Sequence, residues 1–210
     1  MASIAQPNAA LPFHHTKTDN TMRLTLLEGP AVEPLGLDEA KAHLRLDGEE
    51  EDVMLASLIA TARSHIETAL GLALVTQTWR WQADRWPRTG VVELMTRPVQ
   101  RVDRIAVRAA DGAEEVIGAG DYLVDAMAAQ VMPQSGAWPQ PGARRGGIAI
   151  EFVAGFGDAA ADVPAPIRHA LRLLVAHWYE VRNPVHIGSI ATRVPETVSE
   201  LLTPYRARRI

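Results

Sequence analysis

Apolar residues recur at helical spacing towards both ends of this chain, whereas the middle of the chain alternates with a period of two. The helical spacing predicts a short helix from Leu37 to Arg45 and a longer one whose apolar face runs from Val53 to Leu70 and which Gly71 ends. A third helix is predicted around Ile167 to Trp178, followed by a loop and a short helix. The residues predicted to form the helical core are Leu37, Leu44, Leu58, Ile59, Ala62, Ile167, Leu171, Leu174 and Trp178.

The alternating stretch runs from Leu74 to about Phe156 and predicts strands. In its first part, Gln77, Trp79 and Trp81 fall on one face. Further strands are predicted at Val91 to Met95, Val102 to Val107, Glu115 to Ile117, Tyr122 to Val124 and Gly147 to Val153, with a tight turn at Asp111-Gly112. The pattern therefore predicts an α+β fold, in which the N- and C-terminal helices form a core and five or six antiparallel strands form an inserted β lobe.

The predicted organisation has four parts. A flexible N-terminal arm covers residues 1–30, the helical core covers 31–72 and 163–203, the inserted β lobe covers 73–162, and a basic tail covers 204–210. Residues 1–22 are polar and irregular, and a more ordered pattern begins at Met22. We therefore hypothesise that translation starts at Met22 rather than Met1. A peptide from residues 10–20 in protein made from the native gene, detected by mass spectrometry, would contradict this hypothesis.

Composition narrows the class of protein. The 210-residue chain is 47% hydrophobic, which is ample for a buried core. It contains no cysteine, which excludes disulfide scaffolds, thiolate metal sites and cysteine nucleophiles. No apolar run approaches the ~18 residues of a membrane span, and the first residues lack the pattern of a signal peptide. We therefore expect a folded protein that stays in the cell that makes it and has no membrane partner.

Charge is distributed unevenly along the chain, although the net charge is only −4. Residues 31–70 carry nine acidic against three basic residues, whereas residues 163–210 carry three acidic against seven basic residues. The opposite signs indicate either ion pairs between helices that pack together or complementary surfaces on neighbouring subunits. The acidic run Glu49 to Asp52 is predicted to begin the second helix, because negative charge there is favourable to the helix dipole.

Few residues form a pattern typical of catalysis or cofactor binding. His177 and Glu180 lie three apart on the third helix, a spacing that can place two metal ligands on one face, but no further ligands accompany them. The segment Gly155 to Asp158 lacks the lysine and the spacing of a phosphate loop, so a turn is predicted there. We assign no catalytic, cofactor or metal site and expect a protein that is not an enzyme. A small metal-dependent hydrolase using His177 and Glu180 stays an alternative.

A nucleic-acid-binding module is the other alternative, and it would use Arg97, Arg101, Arg104 and Arg108. At alternating spacing, Arg104 and Arg108 share one strand face whereas Arg97 and Arg101 share the other. The pattern therefore predicts no single basic stripe and favours a solvated sheet.

The chain ends in a basic segment, Pro204 to Ile210, which has one aromatic residue and three arginines after a helix-ending proline. Aromatic residues and arginines are enriched where proteins bind proteins. This pattern predicts docking through Tyr205, Arg206, Arg208 and Arg209, and a solvated terminus is the other interpretation.

From about residue 35 to residue 209, the order and spacing of these elements resemble the phage head–tail connector proteins, also called head-completion or adaptor proteins, in the variety that carries a β insertion. The resemblance rests on Leu37, Ala40-Lys41, Leu44-Arg45, Asp52, Leu58-Ile59, Ala62, Glu67, Gly71, Trp79, Trp86-Pro87, Arg97-Pro98-Val99, Asp111-Gly112, Asp121-Tyr122, Trp138-Pro139, Ala154 to Gly157, Val163-Pro164, His177 to Glu180, Arg182, Val194-Pro195, Leu201-Leu202 and Pro204 to Arg206. Residues 1–34 fall outside the matching pattern.

The resemblance implies a ring, usually of twelve copies of the chain, mounted on the portal protein of a DNA-filled capsid. It implies that helices form the ring wall, that the C-terminal tail engages the portal, and that the ring seats a tail-side stopper or tail terminator component. DNA would pass through the lumen without sequence-specific binding. The implied location is the neck of a virion or phage-like particle, made by a phage, a prophage or a gene transfer agent and assembled in the bacterial cytoplasm.

Overall fold

The computed structural model describes residues 22–181 and 195–206. Its helices are α1 (Leu37–Leu44), α2 (Asp52–Leu70), α3 (Ala165–Val181) and α4 (Glu196–Leu202). Its strands are β1 (Arg23–Glu28), β2 (Gln77–Ala83), β3 (Val92–Glu93), β4 (Val99–Arg108), β5 (Glu114–Ile117), β6 (Tyr122–Asp125), β7 (Gln130–Pro133) and β8 (Ile148–Ala154). The predicted α+β fold is confirmed.

The described strands form two antiparallel sheets. The larger has five strands in the order β1-β2-β8-β4-β5, and the smaller has three in the order β3-β7-β6. Strands β2 and β8 pair along their whole length although they are far apart in sequence, from Gln77 opposite Ala154 to Ala83 opposite Ile148. The first residue of β2 therefore lies next to the last residue of β8. This arrangement allows the helices before β2 and after β8 to pack together.

Two hydrophobic clusters hold these elements together. The first joins the four helices through fully buried aliphatic side chains, among them Leu55, Ile59, Ala62 and Ile66 of α2 and Ile167, Leu171 and Leu174 of α3. The second lies in the β lobe and contains Trp81, Ile105, Val131, Trp138, Ile150 and Phe152. None of the helices in the described ranges is long and apolar enough to cross a membrane.

The ends of the first two helices follow from local backbone chemistry. Gly71 ends α2 with φ 63°, a left-handed conformation that costs glycine little, so this predicted helix end is confirmed. Helix α1 ends at Leu44, because Arg45 adopts φ 57°. Helix α2 begins at Asp52, so the prediction that the acidic run occupies its first turn is wrong for Glu49 to Glu51, which precede the helix.

The flexible arm predicted for residues 1–30 is wrong for its last part, because Arg23–Glu28 forms β1 on the edge of the larger sheet. Leu24 lies opposite Trp81 and packs against the second hydrophobic cluster, which explains why this short segment orders. Residues 1–21 of the predicted arm lie outside the described residues.

The β lobe has more strands than the five or six predicted, because seven lie between Gln77 and Ala154. The missed strand is β7, whose pattern is weak: of its four residues only Val131 is fully buried, and Pro133 suggested a loop. The tight turn at Asp111-Gly112 is confirmed, since it joins β4 to β5, with Gly112 at φ 90°.

Candidate assembly surfaces

The predicted docking segment begins on the helical core. Tyr205 ends a short 3-10 turn after α4 and is partly buried against the first hydrophobic cluster. Arg206 follows and is exposed to solvent, whereas Arg208 and Arg209 lie outside the described residues. Tyr205 is therefore an anchor of the segment on its own subunit as well as a candidate contact, and the exposed part begins at Arg206.

Arg97 fixes the start of this segment. Its Nη2 donates to the main-chain oxygen of Leu70, 3.0 Å away, and to that of Tyr205, 3.2 Å away. Leu70 is the last residue of α2, where carbonyl groups carry the negative end of the helix dipole and attract a cation. One guanidinium thus joins the β lobe, the end of α2 and the start of the C-terminal segment.

Glu67 forms a second polar junction between the helices and the β lobe. Its carboxylate accepts hydrogen bonds from Arg63 Nη1 at 2.8 Å, from the main-chain nitrogen of Leu74 at 2.9 Å and from Gln77 Nε2 at 2.6 Å. Gln77 is 2% exposed, so this contact satisfies a buried amide at the first residue of β2. From the sequence, Glu67 was part of the connector resemblance only, and Arg97 was also part of the arginine series of the nucleic-acid alternative. The one local signal for this junction was the four-residue spacing of Arg63 and Glu67 on a helix.

The structure divides the predicted helical-core residues into two groups. Fully buried are Ile59, Ala62, Ile167, Leu171 and Leu174. Partly buried and packed against the same cluster are Leu37, Leu44, Leu58 and Trp178. The ring of Trp178 meets that of His65 edge-on with centroids 5.7 Å apart, so this tryptophan covers the outside of the α2–α3 contact rather than filling its centre.

Ion pairs within the subunit account for part of the opposite charge of the helices. Arg168 and Arg172 of α3 approach Glu39 of α1, with closest nitrogen–oxygen distances of 3.0 and 3.2 Å. Tyr179 near the end of α3 also donates a hydrogen bond to Glu51. Internal pairing is thus confirmed for α1 with α3. Asp47, Glu49 and Glu50 remain exposed in the connection between α1 and α2.

Arg101, Arg104 and Arg108 of the arginine series lie on β4. Their side chains do not follow the strict alternation between faces that the sequence predicts. Register shifts on either side of Val102 place Arg101 opposite Val153 and Arg104 opposite Glu151, so both arginines lie on one face of the larger sheet. The prediction that Arg101 lies on the opposite face from Arg104 and Arg108 is therefore wrong. Arg101 pairs with Asp103 at 2.7 Å.

Glu114 of β5 neutralises much of the remaining positive charge on this face. It accepts from Arg104 at 2.7 Å and from Arg108 at 2.8 Å. The hydrogen bonds from Arg108 and Arg104 lower the pKa of the Glu114 carboxyl to about 2. Because each arginine of the series except Arg97 faces a carboxylate, the face is a network of ion pairs rather than an uncompensated basic stripe.

Neither residue of the metal-site alternative gains further ligands. His177 and Glu180 both lie on α3, and no group of three or more His, Asp or Glu side chains in residues 22–181 and 195–206 is placed to hold a metal ion. The predicted turn is confirmed, because the chain bends at Gly155 directly after β8 with φ 140°. The backbone is closely packed there, since a Cβ on Gly155 would lie 2.6 Å from the main-chain nitrogen of Thr76.

Comparisons with known proteins agree with the fold. Residues 35–126 match the family described as phage gp6-like head–tail connector protein. A chain from the neck of an empty gene transfer agent (GTA) particle, computed with C6 symmetry, is 28% identical and superposes with a TM-score of 0.73, covering 89% of this chain and 97% of that one. No curated protein sequence matches this chain.

Two further solved structures give the same result. A chain from the virion of a native GTA particle is 28% identical, with a TM-score of 0.74, and the match covers 89% of this chain and 96% of that one. A chain from the neck of a native GTA particle, computed with C12 symmetry, is 26% identical, with a TM-score of 0.68 and coverage of 89% and 97%. The resemblance predicted from the sequence is confirmed.

Proposed function

We propose that the chain is a phage head–tail connector protein that docks on the portal through its C-terminal segment and seats a tail-side component on the opposite face. It is a structural component of the neck of a phage-like particle, where copies of the chain form a ring. The proposed role needs no catalytic group, cofactor or metal ion.

The observation that carries the docking proposal is the anchoring of Tyr205. Packing of this residue on the helical core and the Arg97 hydrogen bond to its carbonyl fix the point and direction from which Arg206 leaves the subunit. In a ring, every copy would present this basic segment at the same height. Repeated weak contacts then add up, because each additional contact within one assembly forms at high effective concentration.

DNA passage through the ring lumen is the second part of the proposal. Its support is that Arg101, Arg104 and Arg108 are each paired with a carboxylate, and that the chain carries a net charge of −4. Phosphate contacts by free cations tighten DNA binding and would oppose sliding. We expect weak binding of duplex DNA without sequence preference, measured by fluorescence anisotropy at several salt concentrations.

The test of portal docking uses the full chain and the portal protein of the same gene cluster. A triple variant, Arg206→Ala with Arg208→Ala and Arg209→Ala, should keep its circular dichroism spectrum and lose the portal complex in light scattering. A matched control removes three exposed arginines of the β lobe: Arg88→Ala, Arg144→Ala and Arg145→Ala. Retained binding by the tail variant, or equal loss in the control, would contradict docking through the tail.

A truncation sharpens this test. A chain that ends at Tyr205 keeps the aromatic side chain that packs on the helical core, whereas one that ends at Thr203 loses it. We expect both truncations to lose the portal complex and only the shorter one to lose thermal stability. Loss of portal binding only in the shorter chain would assign docking to Tyr205 rather than to the arginines.

A further inference from the structure

The larger sheet is open at both edges within the described residues. Strands β1 and β5 are its edge strands, and each pairs with a neighbour on one side only. Both carry exposed apolar side chains: Leu26 is 45% exposed, Leu27 40% and Val116 56%. Edge strands present unpaired N–H and C=O groups and are usually protected by lysine, proline or a covering segment. Neither β1 nor β5 contains lysine or proline.

The two edges are oriented so that one copy of the sheet can continue into another. Every neighbouring pair from β1 through β2, β8 and β4 to β5 is antiparallel, so β1 and β5 run in the same direction. If a second copy extends the sheet beyond β5, then β1 of the second copy lies parallel to β5 of the first. The amino ends of these two strands are then next to each other. The two edges are unlike surfaces, as a head-to-tail contact in a ring requires.

Side-chain faces agree with this extension. Arg23 lies in one row across the sheet with Gln82, Ala149, Ala106 and Val116, which therefore share the polar face. Thr25 lies on the same face as Arg23, because side chains alternate along a strand. If Arg23 of the second copy is level with Glu114, then its Thr25 is level with Val116, and its Leu24 and Leu26 lie on the apolar side with Ile117.

The charged residues at the amino ends of β1 and β5 favour the same register. The amino end of β1 carries Arg23, and the amino end of β5 carries Glu114 and Glu115, so opposite charges meet when the strands are parallel. A register irregularity between Leu26 and Glu28 disturbs the far end of β1 and leaves Arg23 to Leu26 as its regular part. That part matches the four residues of β5 in length.

We propose that β1 of one copy adds to β5 of the next, so that the larger sheets form a continuous β belt around the ring. This inference rests on the proposed ring assembly of the chain and names the contact between its neighbours. The occupant of each edge is a second copy of this chain, because one copy supplies both of the complementary edges.

Cysteine cross-linking tests the belt directly, because the native chain contains no cysteine. In a Thr25→Cys, Val116→Cys double variant, the two thiols of one subunit are four strand spacings apart, about 19 Å. A disulfide requires Cα atoms within about 7 Å, so it can form only between subunits. Rings of this variant, oxidised and run on a non-reducing gel, should give a ladder of covalent oligomers that ends at the ring.

The controls separate the belt from the ring itself. Either single variant should stay monomeric on the same gel, and so should Thr25→Cys with Val53→Cys, which moves one thiol to an exposed position on α2. Light scattering of each sample reports whether the ring has formed. A ring that forms without the ladder would overturn the belt but not the proposed ring assembly. Evidence that another protein or residues 1–21 cover β1 would do the same. Absence of any ring would overturn both.

A charge variant provides an independent measurement. Val116→Lys places a cation level with Thr25 of the next copy and diagonal to its Arg23. Because Val116 is exposed, the folded subunit should keep its circular dichroism spectrum. We expect the concentration at which rings dissociate to rise about tenfold. An unchanged dissociation concentration would contradict β1 addition at this edge.

Discussion

The helical core and the β lobe bury their apolar residues in different ways. The fully buried residues of the helical cluster are all aliphatic, whereas the β-lobe cluster includes Trp81, Trp138 and Phe152. Helices approach closely when their contact residues are small or aliphatic, while layers involving sheets leave a wider gap that large aromatic side chains fill. The helical region therefore closes around its core, and the β lobe keeps open strand edges through which it can associate.

The two regions meet through polar contacts as well as through packing. Glu67 binds the start of β2, and Arg97 binds the end of α2 and the start of the C-terminal segment. Such hydrogen bonds depend on direction, so they fix how the β lobe is oriented on the helices. The two cores therefore set the stability of the fold, while the polar junction sets the positions of the assembly surfaces.

The largest expected effect comes from removing one core side chain in each region. Leu171→Ala and Phe152→Ala should each lower the free energy of unfolding by about 3–5 kcal/mol, because both side chains are fully buried. Urea denaturation followed by tryptophan fluorescence and circular dichroism measures this loss. Met127→Ala, at an 81% exposed site, is the control and should change stability little. Equal effects at all three sites would contradict the assignment of the two cores.

A smaller loss is expected from Glu67→Gln. The substitution removes the charge opposite Arg63 and turns an amide group towards the donors of Leu74 and Gln77, so we expect a loss of about 1–3 kcal/mol. Glu93→Gln, at an exposed site on β3, is the matched control. A native-like urea midpoint for Glu67→Gln would show that the junction does not depend on this carboxylate.

Arg97→Gln should act locally. Loss of the two hydrogen bonds from a partly buried guanidinium is expected to cost about 1–2 kcal/mol and to loosen the start of the C-terminal segment. Hydrogen exchange should therefore accelerate at Tyr205 and Arg206 more than in α3. Exchange that rises equally in both places would indicate general destabilisation instead, and the exposed Arg88→Gln should change neither.

The smallest effect concerns pH. The pKa of Glu114 is lowered to about 2, so its ion pairs stabilise the fold above the ordinary pKa of about 4.5 and are lost as the pH falls through 2. Carboxyl-carbon NMR should give a midpoint near 2, and Arg108→Gln with Arg104→Gln should raise it towards the ordinary value. A midpoint near 4.5 in the native chain would contradict the paired arrangement on β4 and β5.

Much of the architecture could be predicted because local patterns carried it. The apolar spacing of α2 and α3, the left-handed glycine at position 71 and the Asp111-Gly112 turn all act over a few residues, and the structure agrees at each of them. Strand β7 was missed because a four-residue strand with one fully buried side chain has too weak a period. Strand β1 was assigned to the arm because its order depends on pairing with β2, far along the sequence.

The sequence by itself determined the fold class, the apolar faces of the helices and the resemblance to head–tail connectors. Periodicity and the order of elements are properties of the sequence and do not depend on which residues meet in space. Only the tertiary structure decided which side chains meet. Arg97 and Tyr205 are 108 residues apart, and Arg101 joined the face of Arg104 through irregular pairing within β4. Edge strands likewise become visible only when the order of strands is known, since an edge is a property of the assembled sheet and not of any one segment.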